Sequence, residues 1–311
     1  LAIRHLLSAI RYLPFAMSIL ANADTHILIQ GITGREAVTV AQESIAYGAK
    51  VVAGVTPGKG GARVGDVPVF ETVAQAKAHT RLDASVISVP APFVKDAALE
   101  ALAHDIRLIV IVTERVPRHD VVAILEEAAL VGTRIIGPNS LGLIVPNETR
   151  VGMCGGSASA ARRAYTRGRV GVLSRSGGMT TEIANLLTMA GIGQSTAISL
   201  GGDPIIGTTY LDVLPLFEAD EETDALVIFA EPGGTMEEQL AEHLLTHGTR
   251  LRIVAFIAGR FAERMQGVRF GHAGSIVEGT RGSPQKKIEV LREAGVRVAG
   301  KIGEMPNLLK K

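Results

Sequence analysis

Hydrophobic positions in this chain fall into short runs separated by stretches with helical spacing. His26-Ile-Leu-Ile-Gln30 predicts a strand, Glu36 to Tyr47 a helix, and Lys50 to Val55 a second strand. Ala84 to Val89, Arg107 to Val112 and Arg134 to Ile136 predict further strands, with helices over Val94 to His104 and His119 to Val131 between them. An irregular stretch rich in Gly, Ser, Ala and Arg runs from Gly152 to Arg169, and then the pattern restarts. Strands are expected over Val170 to Leu173, Ser195 to Leu200, Ala225 to Phe229 and Arg252 to Ile257, then a helix over Ser283 to Ala294 and a short strand over Val296 to Val298. This βαβ alternation predicts parallel sheets with right-handed crossovers. Two α/β domains follow, 17–150 and 151–311, with residues 1–16 standing apart.

Composition narrows the picture. A chain of 311 residues has room for about two domains. Its 35 glycines and 4% aromatics, with no Trp, suit Val/Ile/Ala strands joined by glycine turns better than a β-sandwich. The 32 basic and 31 acidic residues leave a net charge of +1, which gives no global attraction to nucleic acid or an acidic membrane. No apolar run approaches the roughly 18 residues of a membrane span. One cysteine, Cys154, excludes an internal disulfide and any multi-cysteine metal site, and no metal is expected. The opening LAIRHLLSAIRYLPFA carries Arg4, His5 and Arg11 without an acid and precedes Met17. It reads either as an organelle-targeting segment or as an extension ahead of a start at Met17.

The first domain carries a phosphate-binding pattern. Strand 26–30 runs into Gly31-Ile-Thr-Gly34-Arg-Glu-Ala37 and a helix, so backbone N–H groups and a helix N-terminus meet at one turn. Glycines serve equally to make such a turn, but two features favour a nucleotide other than NAD. The spacing is G-x-x-G-x-x-A, and no acid follows the second strand to hold a ribose. That strand leads instead into Gly54-Val-Thr-Pro-Gly-Lys59-Gly-Gly61, whose cation suits a phosphate such as that on the adenosine end of CoA. The loop is one residue short of a Walker A loop and lacks Ser or Thr after the lysine, so ATP is not indicated here.

In the second domain, Ser174-Arg-Ser-Gly-Gly178 and Gly201-Gly-Asp-Pro204 each follow a strand, where open α/β sheets bind ligands. Glu231 follows a third strand, ahead of Pro232-Gly-Gly234, and His272 lies in Arg269-Phe-Gly-His-Ala-Gly274. A histidine among phosphate-cradling helix ends can attack phosphorus through a free ring nitrogen, with a carboxylate on the other nitrogen fixing the tautomer. The plain alternative for any of the eight histidines is a loop or surface side chain, and His243 and His247, on an exposed-looking helix, are read that way.

QGITG (30–34), GVTPGKGG (54–61), VPAPF (89–93), TE (113–114), GPN (137–139), SRSG (174–177), GGDP (201–204) and GHAG (271–274) occur in one order. In these blocks the chain resembles the α subunits of the succinyl-CoA synthetase family, from Met17 onward. The resemblance implies a Rossmann-like CoA-binding domain followed by a flavodoxin-like parallel-sheet ligase domain. It implies that Thr33, Gly34, Arg35, Glu36, Lys59, Val112, Thr113 and Glu114 line a coenzyme A site. It implies that His272 carries the phosphate with Glu231 as its carboxylate partner, that Ser174, Ser176, Gly177 and Gly178 cradle phosphate, and that Asn139, Ser140 and Thr181 border the acid. Mg-ATP or Mg-GTP would sit on an ATP-grasp β subunit, the partner in the complex. A small carboxylic acid completes the partners, with no nucleic acid and no membrane. The location implied is the cytoplasm of a prokaryote, or the mitochondrial matrix if residues 1–16 are a targeting segment.

Departures from the family pattern cluster at the acid. Ser140-Leu141 stands where the family has Cys-Pro, and Thr181 where it has Tyr before the Glu of SRSGTLTYE. Met153-Cys-Gly-Gly-Ser-Ala replaces a Pro-Gly-His-Ile segment, and Ala-Glu231-Pro-Gly-Gly replaces GEIGG. Succinate is the expected acid, with malate or citrate as alternatives. A CoA-binding paralogue without ligase activity is the other reading.

Overall fold

The computed structural model describes residues 19–259 and 282–310. In chain order the first half comprises β1 (His26–Gln30), α1 (Arg35–Tyr47), β2 (Lys50–Val55), β3 (Arg63–Val64), β4 (Val67–Phe70), α2 (Val73–His79), β5 (Ala84–Ile87), α3 (Val94–Ala103), β6 (Leu108–Ile111), α4 (Arg118–Val131) and β7 (Arg134–Ile136). The second half follows with β8 (Gly142–Val145), β9 (Thr149–Gly152), α5 (Ala158–Ala164), β10 (Arg167–Ser174), α6 (Gly177–Met189), β11 (Gln194–Ser199), α7 (Tyr210–Ala219), β12 (Ala225–Ala230), α8 (Met236–His247), β13 (Arg252–Ile257), α9 (Pro284–Glu293), β14 (Arg297–Val298) and α10 (Met305–Lys310). No helix among the described residues is long and apolar enough to cross a membrane.

Strands β4-β2-β1-β5-β6-β7 form a parallel sheet, with β3 added antiparallel at one edge. Counted along the parallel strands, that is the doubly wound order 3-2-1-4-5-6, whose crevice opens beyond β1 and β5. The second sheet runs β14-β13-β12-β10-β11-β8-β9. Its parallel part has the order 2-1-3-4-5 of the flavodoxin-like fold, with a crevice beyond β10 and β12. Strands β5, β6 and β12 are buried at every position, because helices cover both faces of each sheet. This is why those strands read as continuous apolar runs rather than as alternating ones.

The sequence pattern missed the small edge elements. The β8–β9 hairpin pairs antiparallel with β11, so the second sheet takes in residues from Gly142 onward. Within the stretch expected to be irregular, α5 forms with Ala158, Ala161 and Ala164 buried. Its apolar face is made of alanines alone, which gives almost no amphipathic contrast. Helix α5 and the hairpin grip α1. Arg162 donates to the carbonyls of Ala46 and Tyr47 at 3.0 and 2.9 Å, and the Ser44 hydroxyl donates to Gly152 O at 3.2 Å. The two sheets thus share one apolar cluster that includes Ile136, Leu143, Val151 and Leu173.

Candidate functional site

At the crevice of the first sheet, Gly31 leaves β1 with φ of +83°. A Cβ there would collide with the Ser88 carbonyl oxygen, so both backbone conformation and space demand glycine. The turn it makes brings residues 31–36 beside the end of β5. Gly34 caps α1 without any side-chain hydrogen bond, which leaves the helix start open for an acceptor from outside. Gly34, Arg35 and Glu36 are exposed, and the Thr33 hydroxyl donates to Thr56 Oγ1 at 3.3 Å, tying this turn to the loop after β2. That loop is held by Glu71, whose carboxylate accepts the N–H groups of Gly58 and Gly60 at 2.5 and 2.6 Å. Lys59, between them, projects into solvent. Half-buried Val112 and Thr113 and exposed Glu114 follow β6, with the Thr113 hydroxyl donating to Val89 O at 2.6 Å.

At the crevice of the second sheet, Ser174 and Phe229 are paired in register, so the turns after β10 and β12 lie side by side. Ser176 caps α6, accepting the Met179 N–H, and the Gly177 and Gly178 amides form the electropositive start of that helix. The buried Ser174 hydroxyl donates to Ser176 O at 2.8 Å and accepts the Ser176 N–H at 3.0 Å, which fixes the bend before the cap. Glu231 is half-buried in the neighbouring turn. His272 lies outside the described residues, but both described flanks of its segment rest on the Glu231 turn. Gly259 packs against the Pro232 ring, and Gly282 O accepts the Gly233 N–H at 2.8 Å.

The three residues expected at the acid are all hydrogen-bonded within the protein. Ser140 is buried, donating to Ser199 O at 2.5 Å and accepting the Gly142 N–H at 2.8 Å. Thr181 shares a 3.0 Å hydrogen bond with the hydroxyl of Tyr165, a fully buried side chain that sequence reasoning did not single out. Asn139 donates its side-chain amide to Asp203 at 3.1 Å. Burial pushes the Tyr165 phenol well above its ordinary range, so Tyr165 meets Thr181 as a neutral hydroxyl.

Arg175 and Asp203 join the two crevices. The Arg175 guanidinium donates to Gly201 O and Asp203 O at 3.4 and 3.0 Å and lies beside Gly234. The Asp203 carboxylate accepts the Arg115 N–H at 3.1 Å, and Asn139 N donates to Thr113 O at 2.9 Å. These hydrogen bonds link the turn after β6 to Arg175, which lies beside Gly234 of the Glu231 turn. Sequence reasoning quoted SRSG and GGDP as glycine turns and passed over the charged residue inside each. Cys154 takes no part in these hydrogen bonds. Its buried thiol donates to Leu141 O, and burial pushes its pKa up to about 12.

Residues 22–115 match the CoA binding domain model, and residues 173–297 match the CoA-ligase model. The chain is 46% identical over 91% of its length to the succinate–CoA ligase [ADP-forming] subunit alpha 1 of Archaeoglobus fulgidus, covering 94% of that protein. It is 42% identical over 94% of its length to the corresponding subunit alpha of Staphylococcus aureus, again covering 94%. Among solved structures, ATP citrate lyase of Methanothrix soehngenii, in complex with citrate and coenzyme A, superposes on 94% of this chain with a TM-score of 0.86. At 24% identity that likeness is one of fold, and this chain spans 50% of the lyase chain.

Proposed function

The chain belongs to the family of succinate–CoA ligase α subunits, and from that membership we propose that it is the CoA-binding, histidine-phosphorylated subunit of an acid–CoA ligase whose acid is succinate. One observation carries the reading. The Glu231 turn lies beside the start of α6, and both described flanks of the His272 segment pack on that turn. A carboxylate, a helix N-terminus and the chain's route to the histidine thus converge at one crevice.

In this reading a nucleoside triphosphate held by an ATP-grasp β subunit gives its γ-phosphoryl group to a ring nitrogen of His272, releasing the diphosphate. Magnesium would accompany that nucleotide on the partner. The relatives' ADP-forming designation favours ATP over GTP. Glu231 accepts a hydrogen bond from the other ring nitrogen, and the first-turn amides of α6 face the phosphoryl oxygens. The phosphoryl group passes to the acid's carboxylate, and the CoA thiol then displaces phosphate to give the thioester. The residues of the first crevice fit CoA: an uncapped helix start and an exposed Lys59 face phosphate, while Thr33, Arg35, Glu36 and the 112–114 turn border the rest of the site. Asn139, Ser140 and Thr181 would act on the acid through the shape they give the backbone, since their side chains are bonded within the protein.

The test is turnover by the complex with its β subunit, using ATP, CoA and a panel of succinate, malate and citrate. Succinyl-CoA and ADP in equal amounts are the expected products. Preference for malate or citrate would move the acid assignment away from succinate and point to Thr181, which stands where the family has Tyr, as the altered position. No turnover with any acid, in a complex that binds CoA, would favour the non-catalytic paralogue.

A further inference from the structure

Lys287 is fully buried on α9, and its ammonium lies 2.5 Å from a carboxylate oxygen of Glu237, itself 1% exposed in the first turn of α8. Taking two such charges out of water is costly, and apolar replacements of similar volume are often no less stable. Stability alone is therefore a weak reason for this pair. The remaining hydrogen bonds of the ammonium suggest another. An ammonium has three protons to donate. One goes to Glu237, one to Glu231 O at 2.9 Å and one to Gly233 O at 2.6 Å.

Those two carbonyls bracket Pro232 in the turn that presents Glu231. The turn ends in Gly233 and Gly234, both at positive φ, a backbone that costs much conformational entropy to order. The other carboxylate oxygen of Glu237 accepts the hydroxyl of buried Tyr210 at 3.0 Å, and that hydroxyl also reaches Phe229 O at 3.4 Å. Helices α7, α8 and α9 thus each contribute one buried polar group beneath the turn.

We propose that Lys287 is the positioning residue for Glu231: its ammonium, oriented by Glu237 and Tyr210, clamps the carbonyls on either side of Pro232 and fixes the direction of the Glu231 carboxylate. The proposal rests on the reading of Glu231 as the partner of the phosphorylated histidine. Lys287 itself touches no reacting atom.

The test uses the full complex with its β subunit. Replacing the pair by apolar residues, Lys287→Met with Glu237→Leu, removes the clamp without stranding a buried charge. The expected result is an unfolding midpoint close to wild type and unchanged CoA affinity, with histidine phosphorylation slowed roughly 10- to 100-fold, the range expected for small misplacement of a reacting group. In a Glu231→Gln background the same pair should cause little further loss, because both changes act through one carboxylate. A wild-type phosphorylation rate in the pair variant, or losses that simply multiply, would overturn the proposal. Should the pair variant not fold, Tyr210→Phe loosens Glu237 while keeping the ring volume. It is expected to slow phosphorylation in the wild-type background and not in the Glu231→Gln background, and an unchanged rate in both would count against the clamp. Glu231→Gln alone separates the two ideas: a wild-type rate there refutes the role of Glu231 itself, whereas a slowed rate beside an unaffected pair variant refutes only Lys287.

Discussion

The Asp203 carboxylate accepts the side-chain amide of Asn139 at 3.1 Å, and with its other oxygen it accepts the Arg115 N–H at the same distance. Asp203 stands in the turn after β11, and Arg115 follows the 112–114 turn proposed to line the CoA site. Asp203→Ala would strand two polar donors near the sheet junction, at about 1–3 kcal/mol. We expect a lower unfolding midpoint and weaker CoA binding in calorimetry. Reduced stability with unchanged CoA affinity would show that the 112–115 turn does not depend on Asp203.

Lys59 is exposed on a loop whose backbone is tied to Glu71. Lys59→Ala removes the charge and leaves the loop's hydrogen bonds in place. CoA affinity should fall about tenfold, equivalent to about 1.4 kcal/mol, and become less sensitive to salt. An unchanged dissociation constant would place the CoA phosphates elsewhere.

Leu141, which stands where the family has proline, packs directly on Gly177 at the start of α6. A Cβ at Gly177 would collide with the Leu141 side chain. Gly177→Ala should therefore cost about 1–3 kcal/mol by overpacking. Leu141→Ala in the same chain should recover part of that loss in thermal unfolding. No recovery would mean that the strain lies in the helix start rather than in this contact.

The Cys154 thiol, raised to about 12 by burial, keeps its proton in the folded state where an unfolded chain has lost it. The folded state then binds more protons above the unfolded thiol's pKa of about 8.5, so its stability must fall as pH rises beyond that value. Cys154→Ser should remove this part of the alkaline destabilisation and leave ligase turnover unchanged. The native thiol should also resist alkylation at pH 8 until the protein is unfolded. Rapid native alkylation, or a large loss of activity in Cys154→Ser, would contradict the bystander role.

The main strands and long helices were legible because parallel strands buried on both faces leave unbroken apolar runs. Strands β1, β2 and β13 match the sequence reading residue for residue. The hairpins β3–β4 and β8–β9 were not legible, since they fall outside the βαβ alternation from which the other strands were read. Glycine spacing pointed to both crevices through Gly31, Gly34 and Gly177. The buried Arg175, Asp203 and Lys287 were hidden, because nothing in one sequence says that a charged residue is buried. Burial of Lys287 and Glu237 is a property of three helices meeting, and a neighbour-by-neighbour reading cannot supply it.

The most direct test is transfer of labelled phosphate from the nucleotide to the α chain in the complex with its β subunit. The account predicts acid-labile label on His272, absent in His272→Ala and discharged when succinate and CoA are added together. A well-folded, CoA-binding complex that takes up no label from either ATP or GTP, or whose label survives in His272→Ala, would contradict it.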